Sequence, residues 1–243
     1  MAWYREWFGE EYLELYAHRD AGEAAANVGA VLDLVGGDEP RAVLDLACGT
    51  GRYTRALRAA GLRTLGLDLS LTLLARSPGL PRVAGDMCRL PFDDSTFDWV
   101  LNFFTSFGYF EDEADNRRVL GEVARILTVG GLFLLDLFNL DHVLATLEPH
   151  EALELDGRRV EIERWYDPES RRMNKRIRLP DEPAESWGGR SKSFLESVRA
   201  YRRDEVVEAL DDAGLAVERI LGDFRGEPFH RDSERLIVLG RRR

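Results

Sequence analysis

Two cysteines, Cys48 and Cys88, are all the thiol chemistry this 243-residue chain holds. They form neither a metal-site spacing nor a disulfide framework. No metal is therefore expected, and a reducing cytoplasm is the expected location. No run approaches the roughly 18 uninterrupted apolar residues of a membrane span. The most apolar stretch, Gly131 to Leu140, is cut by Asp136. The opening Met1-Ala2-Trp3-Tyr4-Arg5-Glu6-Trp7 lacks the basic-then-apolar order of a signal peptide. Positive charge is also short. Lys and Arg number 33 against 44 Asp and Glu, a net charge of −11. That balance argues against nucleic acid as a partner, since its binding needs a basic face. From Arg158 to Arg203 basic residues do exceed acidic ones. This segment reads either as solvated strand surface or as a positive rim that attracts an anionic substrate. Internal repeats and low-complexity segments are absent, and no sequence feature specifies an oligomeric state. What is there is a 44% hydrophobic chain, enough for one large domain or one domain with an insertion.

The chain is organised around residues 42–51. Val43, Leu44 and Leu46 suit a buried strand, which runs into the glycine-rich turn Ala47-Cys48-Gly49-Thr50-Gly51. After Gly51 the pattern becomes helical. Strand, tight glycine turn and helix start together form a ligand-binding device. Glycine lets the backbone approach a ligand, and the helix N-terminus offers unpaired N–H groups.

Four further short apolar runs follow: 64–68, 82–86, 97–102 and 132–137, the first two ending in Asp68 and Asp86. Helical spacing separates several of them, clearest in Val119, Leu120, Val123 and Leu127. Strand–helix alternation with short connections predicts an α/β protein with a parallel sheet. Ligands bind such sheets at the carboxyl ends of the strands. That edge would carry Asp45, the glycine turn, Asp68, Asp86 and Asn102. Before it, Tyr4, Phe8, Tyr12 and Tyr16 recur every four residues, as one helix stripe would. This predicts a helix that either packs on the body or closes over a pocket. A second helix is predicted over 22–35. Between about 150 and 201 the texture changes to alternating strands with turns at Asp156-Gly157 and 167–170, and a polar loop over 180–189. A last helix and two strands follow. The domain reading is an N-terminal helical lid (1–36), a ligand-binding α/β domain (37–148 and 202–243) and an inserted antiparallel β-subdomain (149–201).

The strand-end acids suit a nucleoside. A ribose diol calls for a carboxylate after the glycine turn, which Asp68 supplies. Asp86 with Met87 offers an acceptor and an apolar face for adenine. Two nucleotide alternatives fail on detail. A P-loop needs Gly-Lys-Ser/Thr, but Gly51 is followed by Arg52-Tyr53. The dinucleotide fingerprint needs glycine where Thr54 stands, and Asp45 would repel a pyrophosphate. Asp45 instead suits a ligand with an ammonium group.

Val43-Leu44-Asp45-Leu46-Ala47-Cys48-Gly49-Thr50-Gly51 closely resembles the first motif of class I S-adenosylmethionine-dependent methyltransferases. Residues 65–70, 85–92 and 97–100 resemble the motifs that follow. The resemblance is strong over about 40–140 and looser over 200–243. It implies a Rossmann-like sandwich with a mostly parallel seven-stranded sheet, plus the antiparallel insertion. It also implies S-adenosyl-L-methionine as cofactor and S-adenosyl-L-homocysteine as product. By position, Gly49 and Gly51 would hold the aminocarboxypropyl arm, Asp68 the ribose, and Asp86 with Met87 the adenine. Asp45 would lie beneath the amino group, with Ala47, Cys48, Leu69 and Asn102 completing the set. Residues 104–110, the insertion and Gly222-Asp223-Phe224 are similar to small-molecule methyltransferases in which the insertion roofs the acceptor.

The expected reaction is therefore in-line methyl transfer to an N or O nucleophile of a small molecule. Positioning at near-attack distance supplies much of the rate, with a base where the nucleophile carries a proton. Candidates for substrate binding are Tyr12, Tyr16, His18, Arg19, Ser106, Tyr109, Arg199 and Tyr201. Tyr16, His18, Tyr109, Tyr201 and His230 are candidate bases, none of them assigned. Two alternatives stay open: a module that binds the cofactor without transfer, and a methyltransferase acting on RNA or protein. A nicotinamide-dependent oxidoreductase is disfavoured by Thr54 and Asp45.

Overall fold

The computed structural model describes residues 2–16, 21–36, 40–180 and 191–243. Strand β1 (Val43–Leu46) is buried at every position. Such a strand needs cover on both faces and paired neighbours on both edges. It has them. β1 pairs in parallel with β2 (Thr64–Asp68) on one side and β4 (Phe97–Asn102) on the other. β3 (Arg82–Ala84) extends the sheet beyond β2, and β5 (Leu127–Phe138) beyond β4. β11 (Arg235–Arg242) then runs antiparallel between β5 and β10 (Leu215–Leu221). The order is β10-β11-β5-β4-β1-β2-β3. Strand order reverses at β1, so the crevice beyond the ends of β1 and β4 is where a ligand fits.

Side-chain alternation sends Val43 to one face and Leu44 and Leu46 to the other. Val43, Leu101 and Leu134 meet Val28 and Val31 of α3 (Ala21–Val35) and Tyr53 and Leu57 of α4 (Arg52–Ala59). Leu44, Leu46 and Val100 meet Val119 and Val123 of α6 (Glu113–Ile126) and Val206 and Leu210 of α8 (Arg203–Asp212). Ser70 caps α5 (Leu71–Ala75) by accepting from Leu73 N at 3.1 Å. Asp112 caps α6 through Ala114 N at 2.9 Å.

After the short α7 (Leu140–Thr146) comes the second sheet: β6 (His150–Leu155), β7 (Arg158–Asp167), β8 (Arg172–Pro180) and β9 (Ser191–Arg199). All its pairings are antiparallel, in sequence order. Asp156 and Gly157, with φ of 49° and 74°, make its first hairpin turn. The inward face, with Val160, Ile162, Ile177 and Leu179, is covered by Trp7 and Leu15. These come from α1 (Trp3–Trp7) and α2 (Glu10–Leu15). Full burial of the Trp7 side chain alone contributes about 3 kcal/mol. No described helix is long and apolar enough to cross a membrane.

Three sequence expectations change here. The aromatic stripe is two short helices, not one. Phe8 leaves helical geometry with ψ of 61°, and extended Gly9 starts α2. The break lets Trp7 face the second sheet while Phe8, Tyr12 and Tyr16 stay in ring contact at 4.9 Å steps. Of the 1–36 segment, only α1 and α2 lie over the crevice, because Ala24, Val28 and Val31 bury α3 against the main sheet. The strand expected over 132–137 begins earlier, at Leu127, with Gly130-Gly131 as an irregularity inside β5. Its pairing with β4 jumps from Phe97↔Leu127 to Trp99↔Leu132.

Candidate active site

The floor of the crevice is built by the backbone. Ala47, Gly49 and Gly51 have φ of 61°, 56° and 74°, which folds the chain sharply at the end of β1. A side chain at Gly51 is strained by the left-handed backbone, and its Cβ would lie 2.7 Å from Leu80 Cδ1, which would have to move. Gly66 on β2 is equally constrained, since a Cβ would sit 2.7 Å from Cys48 Sγ and 2.9 Å from Thr54 Oγ1. Asp68 staples the two loops together. Its Oδ2 accepts from Gly49 N and its Oδ1 from Ser70 N, each at 2.8 Å. Burial raises the Asp68 carboxyl above its ordinary pKa, and these backbone donors oppose the rise.

Asp45 is 2% exposed and accepts the Thr54 hydroxyl at 2.6 Å. Burial pushes its carboxyl up to about 7, against the pull of Thr54. A nearly neutral acid lining a cavity is poised to ionise when a cation arrives. Burial likewise raises the Cys48 thiol, so it is a packing group and not a nucleophile. Asp86 accepts Cys88 N at 3.0 Å through one oxygen and the Arg5 guanidinium of α1 at 3.3 Å through the other.

These groups line one end of a cavity of about 930 Å³. Asp45, Ala47, Cys48, Gly49, Asp68, Leu69, Asp86 and Met87 face it. Gly51 and Asn102 shape it from behind. Asn102 ties β4 to β1 by donating Nδ2 to Leu46 O at 2.9 Å. Among the substrate candidates, Tyr12, Tyr16, Ser106 and Tyr109 line the other end. Arg199 and Tyr201 do not. The Tyr201 hydroxyl lies 3.0 Å from Glu113 Oε1, and Arg199 pairs with Glu205 at 2.5 Å, at the junction of the two sheets. His230 stands in the loop before β11, its backbone N bonded to Ser233 Oγ at 3.0 Å. His18 and Arg19 lie outside the described residues, as do residues 181–189 of the expected polar loop.

Several cavity residues escape a sequence reading. Arg164, Lys175 and Glu196 form one cross-strand row on β7, β8 and β9. Alternation within the insertion does not say which face looks inward. Arg235 also lines the cavity. Its Nε donates to Asp136, which is 0% exposed, and its buried Nη2 has no partner among the described residues. Asp136 further accepts Phe104 N at 2.7 Å, holding Phe104 and Thr105 at φ of 61° and 53°. The signal was visible: an acid inside the most apolar strand needs a cation, and Arg235 opens the last apolar run.

The residues fit a ligand with a cationic amino-acid arm, a ribose and an apolar base. A buried acid answers the ammonium, the backbone turn leaves room for the arm, and Leu69 and Met87 offer apolar faces. A family model described as a methyltransferase domain matches residues 44–135. The dTDP-4-amino-2,3,4,6-tetradeoxy-D-glucose N,N-dimethyltransferase of Saccharopolyspora spinosa is 29% identical over 83% of each chain. A demethylmenaquinone methyltransferase of Renibacterium salmoninarum is 35% identical, over 45% of this chain and 46% of its own length. In structure, the sugar N-methyltransferase KedS8 of Streptoalloteichus sp. ATCC 53650 superposes with a TM-score of 0.73. It is 24% identical, and the match covers 97% of this chain and 94% of that one. The chain thus carries a methyltransferase domain over residues 44–135 and has the fold of the class I S-adenosylmethionine-dependent methyltransferases.

Proposed function

We propose that the protein transfers a methyl group from S-adenosyl-L-methionine to an amine or hydroxyl of a small molecule that also carries an anionic group. Bound at the floor, the cofactor supplies an electrophilic methyl on a sulfonium. Asp45 holds the ammonium, Asp68 the ribose, and Asp86 with Met87 the adenine. The observation that carries the acceptor class is Arg235. It lines a cavity walled by the second sheet and the N-terminal helices, and its Nη2 is buried with no partner among the described residues. Its planar fork suits a carboxylate or phosphate. A crevice roofed in this way favours a small acceptor over RNA or a folded protein. The amino-sugar substrate named for the S. spinosa relative is of this class.

Calorimetry with S-adenosyl-L-homocysteine, followed by mass-spectrometric methyl transfer to nucleotide-linked amino sugars, tests the reading. Arg235→Ala is expected to keep cofactor affinity and to raise acceptor KM by about 30-fold or more, the loss of a charged hydrogen bond. Absence of any cofactor heat defeats the proposal, as does unchanged acceptor KM in the variant.

A further inference from the structure

Resting on that reading, we infer that Glu196 is the anion that recognises the acceptor amine and stabilises the positive charge that develops on its nitrogen. The acids lining the cavity divide cleanly. Asp45, Asp68 and Asp86 belong to the floor, and Glu6 is exposed. Glu196 alone comes from the second sheet.

Its two oxygens are treated differently by the fold. Oε1 accepts Trp7 Nε1 at 2.6 Å and the Tyr16 hydroxyl at 3.3 Å. Oε2 has no donor among the described residues. The cations in the same row are already answered. Arg164 pairs with Glu151 at 2.5 Å, and the Lys175 ammonium donates to the Tyr16 hydroxyl. Trp7 is fully buried, so its indole fixes the carboxylate on a rigid support. The result is a half-buried carboxylate, oriented by two donors on one oxygen, that offers the other to a ligand.

Methylation of a neutral amine moves a positive charge onto nitrogen. The nitrogen lone pair would become the new N–C bond as the methyl–sulfur bond of the sulfonium breaks and its electron pair passes to sulfur, and both N–H bonds would remain until the product loses a proton to solvent. An N–H donating to Oε2 pairs a neutral donor with a carboxylate before transfer and a cationic donor with it during transfer. That strengthening is confined to the transition state, so it raises kcat more than it tightens binding. A hydroxyl acceptor gains less, because its own proton must leave. The proposal thus narrows the acceptor to an amine.

The test uses the whole protein and two probes: dTDP-4-amino-2,3,4,6-tetradeoxy-D-glucose and the same nucleotide sugar with a 4-hydroxyl. With S-adenosyl-L-homocysteine present, the native protein should bind the amino sugar about tenfold more tightly, the worth of a charged hydrogen bond. Glu196→Gln keeps an oxygen for Trp7 and Tyr16 but loses the charge. It should abolish that preference, leave affinity for the hydroxy sugar and for S-adenosyl-L-homocysteine unchanged, and on the amine raise KM about tenfold and cut kcat about 100-fold. Glu196→Asp should recover part of the rate. A native protein without amine preference overturns the inference, and so does a variant that keeps the preference or the rate. Retained S-adenosyl-L-homocysteine binding in the same titrations separates that failure from failure of the methyltransferase reading itself.

Discussion

Asp45→Asn should stabilise the ligand-free protein at alkaline pH while weakening its hold on the cofactor. The reasoning starts from burial. Asp45 is 2% exposed, with the Thr54 hydroxyl as its described donor, and its carboxyl is pushed up to about 7. The unfolded chain titrates it near 3.9. Between these values the folded protein holds a proton that the unfolded chain has released, so stability falls as pH rises from 4 to 7. Above 7 the loss is complete. Three pKa units correspond to about 4 kcal/mol, an upper bound because water entering the cavity screens the charge. Asparagine keeps the shape and an oxygen for Thr54 without the titration. At pH 8 the variant should be more stable by up to about 4 kcal/mol, and near pH 4 the two proteins should coincide. Binding runs the other way. The ligand's ammonium favours the ionised acid, so native protein below pH 7 should release a proton on binding S-adenosyl-L-homocysteine. Its affinity should climb through pH 6–8, and the variant's should be weaker and flat. Urea melts across pH 4–9, with calorimetry in buffers of different ionisation enthalpy, measure both. Equal stability at pH 8 together with no proton release refutes the account.

Gly51→Ala forces a Cβ to 2.7 Å from Leu80 at φ of 74°. It should destabilise by about 2 kcal/mol or more and weaken S-adenosyl-L-homocysteine binding, both readable from thermal melts with and without ligand. Trp7→Ala should cost about 3–5 kcal/mol, measured by urea unfolding. It also leaves Tyr16 as the remaining described donor to Glu196 Oε1, so kcat should fall even at temperatures where the variant is folded.

The floor of the site was legible because its chemistry is local. A buried strand, a turn that only small residues can make, and an acid at the next strand end lie within 26 residues of one another, from Val43 to Asp68. Backbone geometry holds them together whatever the rest of the chain does. Strand–helix alternation is local in the same sense, and so are the hairpin turns of the insertion. The acceptor end was not legible, because its groups come from β5, β7–β9, β11 and two N-terminal helices. Arg235 meets Asp136 across 99 residues, and Trp7 meets Glu196 across 189. Tyr201 and Arg199 show the converse. Their residue types suited a substrate site, but their place at the sheet junction gave them Glu113 and Glu205 as partners.

The sequence by itself therefore determined the glycine-turn floor of the crevice and the α/β framework, since both rest on short-range constraints of glycine conformation, strand burial and acid spacing. Which face of the second sheet looks inward, and which of its charges remain open to a ligand, was decided only in three dimensions. Trp7 and Leu15 of the N-terminal helices covered one face of that sheet, and register then set Arg164, Lys175 and Glu196 side by side above the crevice.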